Sequence, residues 1–565
     1  MSLFDAHPPS GAWSLRAGTA YGLACAALVC LFNGPYLFSA KVGILDWPKE
    51  LFYFHVLRSG LVEYGTLPVS FFTVPQSLAH FSTLQSASFW ANPEVVSLSP
   101  FLPLLFLVST VAFIKLYFAG HFLLGIAGTG LLAKRLGFTP FQGVLLFILL
   151  ALNPWLSQHL AIGYTPYINA LLLPGLAALL LSPPRSPLQL ALAALGNAMI
   201  FYQGGLHLFV WFNLAGLAVA LLACAQARSA GPLLRVLWVQ AGTFALILPK
   251  YAASASAYRD FVRFPGTGYP SLAALWGLLT DSTSPLFDFP ATYHRYGVAF
   301  YDASLCVGEW FVGLAGLATL CWLFRPWRGG AAAGFPQWIA AAAALGFLVC
   351  GWGGNWALIT RYLPTLASEI YPFRWLYPAY LFAAAFTLAE LCRITASLGG
   401  RRLGAVLLGL VLLPTVLGFY GRNAAFAGLN ASEPDTFGGF SLREYLIHRA
   451  VGYAGETLLP AEVTPAGLRL IPPGETGDTI LLPWLEPRRL REFSIDYARP
   501  DVFQPEASTV LIVTQPNRPV SLTANAFHRL WLGIAGASAF ALLTLCALRW
   551  GGGKARRPQR GRLRL

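Results

Sequence analysis

Apolar residues in this chain gather in long blocks, not in the short amphipathic repeats of a water-soluble fold. A membrane span needs roughly 20 apolar residues at about 1.5 Å of rise each. Blocks of that kind lie near 17–38, 112–133, 139–157, 165–182, 187–203, 205–226, 232–250, 303–324, 335–352, 371–393, 403–420 and 529–549. The pattern predicts an all-α polytopic membrane protein of about 12 transmembrane helices. The first block follows Arg16 and runs on to Ala40, and Phe38-Ser39-Ala40 lacks the small residue three places before a signal-peptide cut, so an uncleaved anchor is expected.

Two stretches break the pattern. Residues 39–111 form a long, partly apolar first loop. Its last part, 100–111, is too short to cross alone, while 100–133 is too long for one straight span; an interfacial or re-entrant helix before the second span is expected. Residues 421–528 change character altogether. Thr479–Leu485, Leu490–Ala498, Ser508–Gln515 and Val520–Phe527 alternate or are β-branched between Pro, Gly and Asn, which predicts strands of a small β-rich domain near the C-terminus, while Phe440–Tyr453 reads as helical. The expected organisation is a transmembrane core over 1–420, this β-rich domain over 421–528, a final span over 529–549 and a basic tail over 550–565.

Composition supports the membrane class. Apolar residues make up 56% and charged residues only 11%, less than half of the roughly 25% typical of soluble domains. The eight cysteines lie in or beside apolar blocks without a C-x-x-C pair, so neither a disulfide framework nor a thiolate metal site is indicated. The net charge of +14 raises the question of nucleic acid. Seven of the 38 basic residues, however, form the tail from Arg549 to Arg564 directly behind the last apolar block. That is the usual mark of a cytoplasmic helix end near anionic lipid, so the partner indicated is membrane lipid and not nucleic acid.

Charge also orients the chain. Lys134 and Arg135, Arg185, Arg228 and Arg235, Arg325 and Arg328, then Arg393, Arg401 and Arg402 all fall on the tail's side if the spans number twelve, with both termini cytoplasmic. The acidic residues then collect on the other side. Twelve of the 24 lie in 421–528, five run from Asp260 to Glu309, and four (Asp46, Glu50, Glu63 and Glu94) lie in the first loop. Glu390, three residues before Arg393, is expected to pair with it on one helix face. Asp302 and Glu309 are seven apart near the start of the eighth span and could share a face.

If 46–58 is helical, Asp46 and Glu50 share one face just beyond the first span. Asp46 ahead of Pro48 also has the form of a helix N-cap, and that reading stands beside a catalytic one. The loop further supplies His55, His80, Trp90, Asn92 and Glu94.

The run Asp46-Trp47, Glu63-Tyr64-Gly65-Thr66-Leu67-Pro68, Trp90-Ala91-Asn92-Pro93-Glu94, Leu132-Ala133-Lys134-Arg135-Leu136-Gly137 and His159-Leu160-Ala161-Ile162-Gly163-Tyr164 resembles the GT-C superfamily of membrane glycosyltransferases, and within it the bacterial YfhO-type branch. The resemblance covers about 46–182, and Pro372-Phe373-Arg374 is similar to the Arg-containing start of a late helix in that group. Thr83–Phe89 lacks the group's Gly-rich turn, and Gly163-Tyr164 stands where the group has Gly-His.

The resemblance implies transfer of a sugar from a polyprenyl-phosphate donor to a glycan, lipid or protein acceptor on the non-cytoplasmic face of a bacterial-type inner membrane. Such a displacement needs a carboxylate to take the acceptor's proton and cations to stabilise the departing phosphate. Asp46 is the candidate base, with Glu50 beside it. Arg374, Arg361, Arg263 and Lys250 are candidate phosphate contacts. His55, His159, Tyr164, Asn92, Glu94, Asp302 and Glu309 are candidate cavity residues. A divalent cation bridging Asp46 to another acid could share the phosphate's neutralisation, though no ligand spacing specifies one. Two other readings stay open: a non-catalytic assembly or scaffold protein built on a GT-C-like core, and a lipid-linked glycan transporter.

Overall fold

The computed structural model describes residues 13–43, 46–58, 61–62, 89–90, 92–181, 187–257, 268–281, 305–324, 353–362 and 372–429, residues 297 and 346, and short strands with three adjoining residues (514, 515 and 518) between 452 and 524. The expected spans at 335–352 (apart from residue 346) and 529–549, the tail, and the candidates Arg263, Asp302 and His80 lie outside the described residues.

The described part is mostly helical. Seven segments are long and apolar enough to cross a membrane: Leu15–Leu37, Thr110–Arg135, Pro140–Ala161, Leu206–Ala225, Gly231–Ala255, Leu376–Leu398 and Arg402–Phe426. Three shorter apolar helices, Thr165–Leu180, Leu188–Tyr202 and Glu309–Leu323, fall at further expected spans. Outward faces carry exposed Leu23, Leu31, Leu123, Leu221, Leu410 and Leu417, a surface suited to hydrocarbon and costly in water.

The helices that matter for the site are α1 (Leu15–Leu37), α2 (Trp47–Arg58), α3 (Thr110–Arg135), α4 (Pro140–Ala151), α5 (Pro154–Ala161), α6 (Leu173–Leu181), α7 (Pro187–Tyr202), α8 (Leu206–Ala227) and α9 (Gly231–Ala257). Before α3 the chain forms only the five-residue 3-10 helix Leu102–Phe106. Pro103 opens its first turn, and the element is shorter than the interfacial or re-entrant helix expected there.

The block expected as one span near 139–157 is two helices joined end to end and is almost wholly buried in the bundle. Asn153 ends the first and caps the second, its Oδ1 accepting from Leu156 N at 3.2 Å ahead of Pro154. This break leaves carbonyls without their helical donors, because Pro154 has no N–H for Leu150 and the Leu156 N–H has gone to Asn153 instead of Leu152. Side chains from the Leu376–Leu429 helix fill the gaps. Tyr377 Oη donates to Leu150 O at 2.8 Å, Tyr380 Oη to Leu149 O at 2.8 Å, and Asn423 Nδ2 to Leu152 O at 3.0 Å. Ser157 Oγ donates to Asn33 Oδ1 at 3.3 Å and to Asn423 Oδ1.

Leu376–Leu429 is 54 residues long, about 80 Å if straight. It turns instead. Gly400 takes a left-handed φ of +69°, and a Cβ on Gly404 would lie 2.9 Å from the Ala396 backbone, whereas residues eight apart on a straight helix stand about 12 Å apart. The turn makes an antiparallel pair, Leu376–Leu398 and Arg402–Phe426, so one pass brings Tyr377 and Tyr380 and the return pass brings Asn423 to the same break. Glu390 pairs with Arg393 at 2.8 Å in the first of these.

Residues 452–524 hold nine short strands. One antiparallel sheet has the order β2-β1-β5-β8-β7, made of Thr457–Leu459, Gly452–Ala454, Thr479–Leu482, Thr509–Val513 and Ala498–Pro500. The other has the order β3-β4-β9-β6, made of Ala461–Thr464, Gly467–Leu470, Val520–Ala524 and Phe493–Asp496. Gly452 and Tyr453, read from sequence as the end of a helical stretch, lie in β1 and pair with Leu459 and Leu458.

Tyr377→Phe leaves Leu150 O with only the long 3.5 Å bond from Asn153 Nδ2, and loss of the short tyrosine bond costs about 0.5–1.5 kcal/mol. A lowered thermal midpoint of the detergent-purified variant is expected, with a further fall in the Tyr377→Phe, Tyr380→Phe pair.

Candidate functional site

Two long-range contacts carry the first loop onto the end of the bundle where α1, α5, α7 and α9 finish. In the first, the start of α2 is fastened to the chain leaving α5. Asp46 N donates to Ile162 O at 3.0 Å, and Trp47 Nε1 donates to Leu160 O at 2.8 Å. The Trp47 ring is fully buried between Tyr36 and Phe118, at centroid distances of 6.4 and 6.1 Å. Gly163 makes the approach feasible, since its φ is +88° and a Cβ there would stand 2.5 Å from Trp47 N and 2.6 Å from the Asp46 carbonyl carbon.

In the second, residues 92–97 dock on the α7–α8 turn. Asn92 Oδ1 accepts from Glu94 N at 2.9 Å, Val96 bridges to Gln203, and Ser97 N donates to Tyr202 O at 2.8 Å. Gly204, with φ +82°, gives the Glu94 backbone room that any Cβ would take. Lys250 on α9 is wholly buried and donates to Val95 O at 2.8 Å and to Ser97 Oγ at 3.0 Å. Its ammonium is committed to this loop and inaccessible here, which corrects its expected role as a phosphate contact.

Together these contacts gather Asp46, Glu50 and Glu94 around one side chain that the motifs did not single out. Lys49 Nζ lies 3.1 Å from Asp46 Oδ2, 3.6 Å from Glu50 Oε1 and 3.6 Å from Glu94 Oε2. Asp46 and Glu50 do share a face of α2, as their spacing predicts. The Asp46 side chain is 28% exposed, and beyond Lys49 its carboxylate has no hydrogen-bond partner among the described residues. Asp46 also stands at the N-cap position, its carbonyl accepting from Glu50 N at 3.0 Å, but among the described residues its carboxylate makes no capping hydrogen bond and is engaged by Lys49 instead.

Glu50 is buried, and Oε2 accepts from Thr165 Oγ1 at 2.5 Å. Burial pushes its carboxyl up to about 8, against the opposing pull of Lys49 and the Thr165 hydrogen bond. Burial alone would lower Lys49, yet Asp46, Glu94 and Glu50 around it hold its ammonium well above the ordinary lysine range. Near neutrality Glu50 therefore keeps a proton while Lys49 stays charged.

A second cluster lies along the same 159–167 segment. His159 is buried, with Nδ1 2.8 Å from Trp155 O and no hydrogen-bond partner at Nε2. Its ring meets those of Trp155, Tyr167 and Tyr164 at 4.4, 4.5 and 5.7 Å. The Arg374 guanidinium sits 5.8 Å from the Tyr167 ring centre. The segment thus offers Ile162 O to the Asp46 backbone N–H and Thr165 to the Glu50 carboxyl, and His159, Tyr164 and Tyr167 to the aromatic cluster beside Arg374.

Other candidates stand apart. His55 lies in the last turn of α2. Arg361 is exposed in the last turn of the Gly353–Tyr362 helix. Glu309 is exposed in the first turn of Glu309–Leu323, where a carboxylate complements the helix dipole; that placement accounts for it without the cavity face expected from its spacing to Asp302. Lys49 and Thr165 are the residues that sequence reasoning missed. Lys49 carried a local signal, lying three after Asp46 on the same face, whereas the Thr165 contact spans 115 residues and had none.

No protein-family model matches this chain, and no curated protein matches it.

Glu50 links the site to stability. Its folded value is raised, so its stabilising contribution is fully present below the ordinary value of about 4.5 and is lost as pH rises through about 8. Thermal unfolding in detergent is expected to show a midpoint that declines across this window in the wild type. The decline should be smaller in Glu50→Gln, and equal slopes in the two proteins would refute the assignment.

Proposed function

We propose that this chain is a membrane glycosyltransferase that moves a sugar from a polyprenyl-phosphate carrier to an acceptor hydroxyl on the non-cytoplasmic face. The observation that carries the reading is that the short 159–167 segment anchors the start of α2, with its part-exposed Asp46 carboxylate, and also carries the His159 and Tyr167 rings beside Arg374. The first group can take a proton and the second can receive an anion. In the proposed step the acceptor oxygen attacks the anomeric carbon as its proton passes to Asp46. The bond from that carbon to the phosphate oxygen breaks, and its electron pair leaves with the polyprenyl phosphate, whose charge Arg374 stabilises. Attack opposite the leaving group inverts the anomeric centre.

The accompanying topology has twelve spans, both termini in the cytoplasm of a bacterial-type cell, and a β-rich extracytoplasmic domain over 421–528. Its support is charge separation along the bundle. Lys134 and Arg135 close α3, Arg228 caps α8 and Arg235 opens α9, all at helix ends opposite those that hold Asp46 and Glu94. This is the distribution that the positive-inside rule produces.

A scaffold reading draws on one observation, the 3.1 Å ion pair that ties the Asp46 carboxylate to Lys49. The two readings separate in one assay. Asp46→Asn keeps the size and shape of the side chain but removes the base, and transfer from a synthetic polyprenyl-phosphate sugar in proteoliposomes is expected to fall about 10²- to 10⁴-fold at unchanged expression. Arg374→Gln is expected to reduce transfer as well. Unchanged transfer in Asp46→Asn, or no transfer by the wild type with any such donor, would remove the catalytic reading in favour of the scaffold.

A further inference from the structure

Carboxylates from two parts of the first loop, Asp46 and Glu50 at the start of α2 and Glu94 more than 40 residues later, converge on a single point. Convergent carboxylate oxygens are the usual surroundings of a hard divalent cation, and such an ion was one of the expectations attached to the resemblance. Here the point is filled by the Lys49 ammonium, at 3.1, 3.6 and 3.6 Å from the three oxygens. Magnesium and calcium draw their oxygens to about 2.0–2.6 Å. Among the described residues no three His, Cys, Asp or Glu side chains stand close enough together to hold a metal ion. The residues as arranged do not fit a divalent ion beside Asp46.

Lys49 is also well placed to stay. Its backbone lies between those of Asp46 and Glu50 on one helix turn, so the cation and two of its three partners share a rigid element. The third partner, Glu94, is fixed by the docking of residues 92–97 on the α7–α8 turn. A tethered ammonium loses no translational freedom on binding and cannot be removed by a chelator.

We propose that Lys49 is a built-in counter-cation that occupies the position of a divalent metal ion between Asp46, Glu50 and Glu94, and that removing its charge turns the cluster into a divalent-cation site. Without the ammonium, the Asp46 and Glu94 carboxylates lose the counter-charge that they share. The part-exposed Asp46 and Glu94 side chains, 28% and 35% exposed, can then close on a solvent cation. The inference stands on this geometry and not on the reaction; joined to the glycosyl-transfer reading, it makes transfer indifferent to chelators.

The test is a terbium titration of the purified full chain in detergent, read by tryptophan-sensitised emission, with calcium as competitor. Trp47 lies next to Asp46 and serves as the donor. The wild type and Lys49→Arg are expected to show no saturable component that depends on Glu94. Lys49→Gln, monodisperse by size exclusion, is expected to gain a saturable, calcium-displaceable component at least about tenfold tighter than any wild-type signal. That component should vanish in the Lys49→Gln, Glu94→Gln pair. A wild-type component lost in Glu94→Gln would overturn the proposal, and so would a well-folded Lys49→Gln that gains nothing. Should Lys49→Gln not be recovered, wild type against Glu94→Gln decides: identical titrations sustain the proposal and a difference overturns it. The readout is independent of catalysis, so its failure is distinct from the absence of glycosyl transfer.

Discussion

The structure depends on how a helix is broken in the middle of an apolar bundle. In hydrocarbon no water can take up a carbonyl that has lost its helical donor, and each such group costs several kcal/mol. The Asn153-Pro154 step creates this situation at Leu149, Leu150 and Leu152. The solution is specific, because two tyrosine hydroxyls and one asparagine amide, all from Leu376–Leu429, reach the three carbonyls. Those donors come from both passes of the folded-back helix, so the turn at Gly400 and the break at Pro154 have to be present together. A straight 54-residue helix could not bring Tyr377 and Asn423 to neighbouring carbonyls.

The break matters because of what it aims. A continuous helix from Pro140 would carry its polar C-terminal residues along one axis. Restarting at Asn153 gives α5 a single short run of eight residues, after which the chain turns at Gly163 with its carbonyls and side chains facing two ways. Toward α2 it offers Leu160 O and Ile162 O as acceptors and Thr165 as a donor. Toward the bundle it offers the His159 and Tyr167 rings, with Trp155 stacked on Tyr377 at 4.2 Å. Tyr377 therefore serves the break and the aromatic cluster at once, and packing energy and site geometry are coupled through one residue.

Local signals in the sequence reach some of these features and not others. Apolar length marks the spans because lipid imposes a length on each helix separately. The i, i+4 relation of Asp46 and Glu50 survives because it depends only on α2 being a helix. The Asn153-Pro154 break falls inside an apolar block that reads as one span, since hydropathy does not register a missing N–H. The junction of Glu94 with Lys49 was not legible at all. It needs residues 92–97 to dock on Tyr202 and Gln203, a contact across more than 100 residues that no periodicity encodes. Lys250 shows the reverse error. A basic residue near a helix end reads as a surface or ligand group, but here the docked loop accepts its hydrogen bonds.

The same energetic rule that governs the break governs the acidic cluster, with a different resolution. Carbonyls carry partial charges and can be satisfied one by one with neutral donors. Carboxylates cannot, because bringing three together accumulates full charge in a place where burial weakens screening. The cluster meets this by two means. Glu50, the most enclosed, keeps its proton near neutrality and so behaves as a neutral acceptor of the Thr165 hydroxyl. Asp46 and Glu94, each open to solvent on one side, remain near water and share the Lys49 charge. The arrangement leaves the least buried carboxylates as the ones that face solvent. It also explains why the exposed member on α2 is Asp46: at the first position of the helix its backbone is already fixed to Ile162, and its side chain alone is left to respond to what enters.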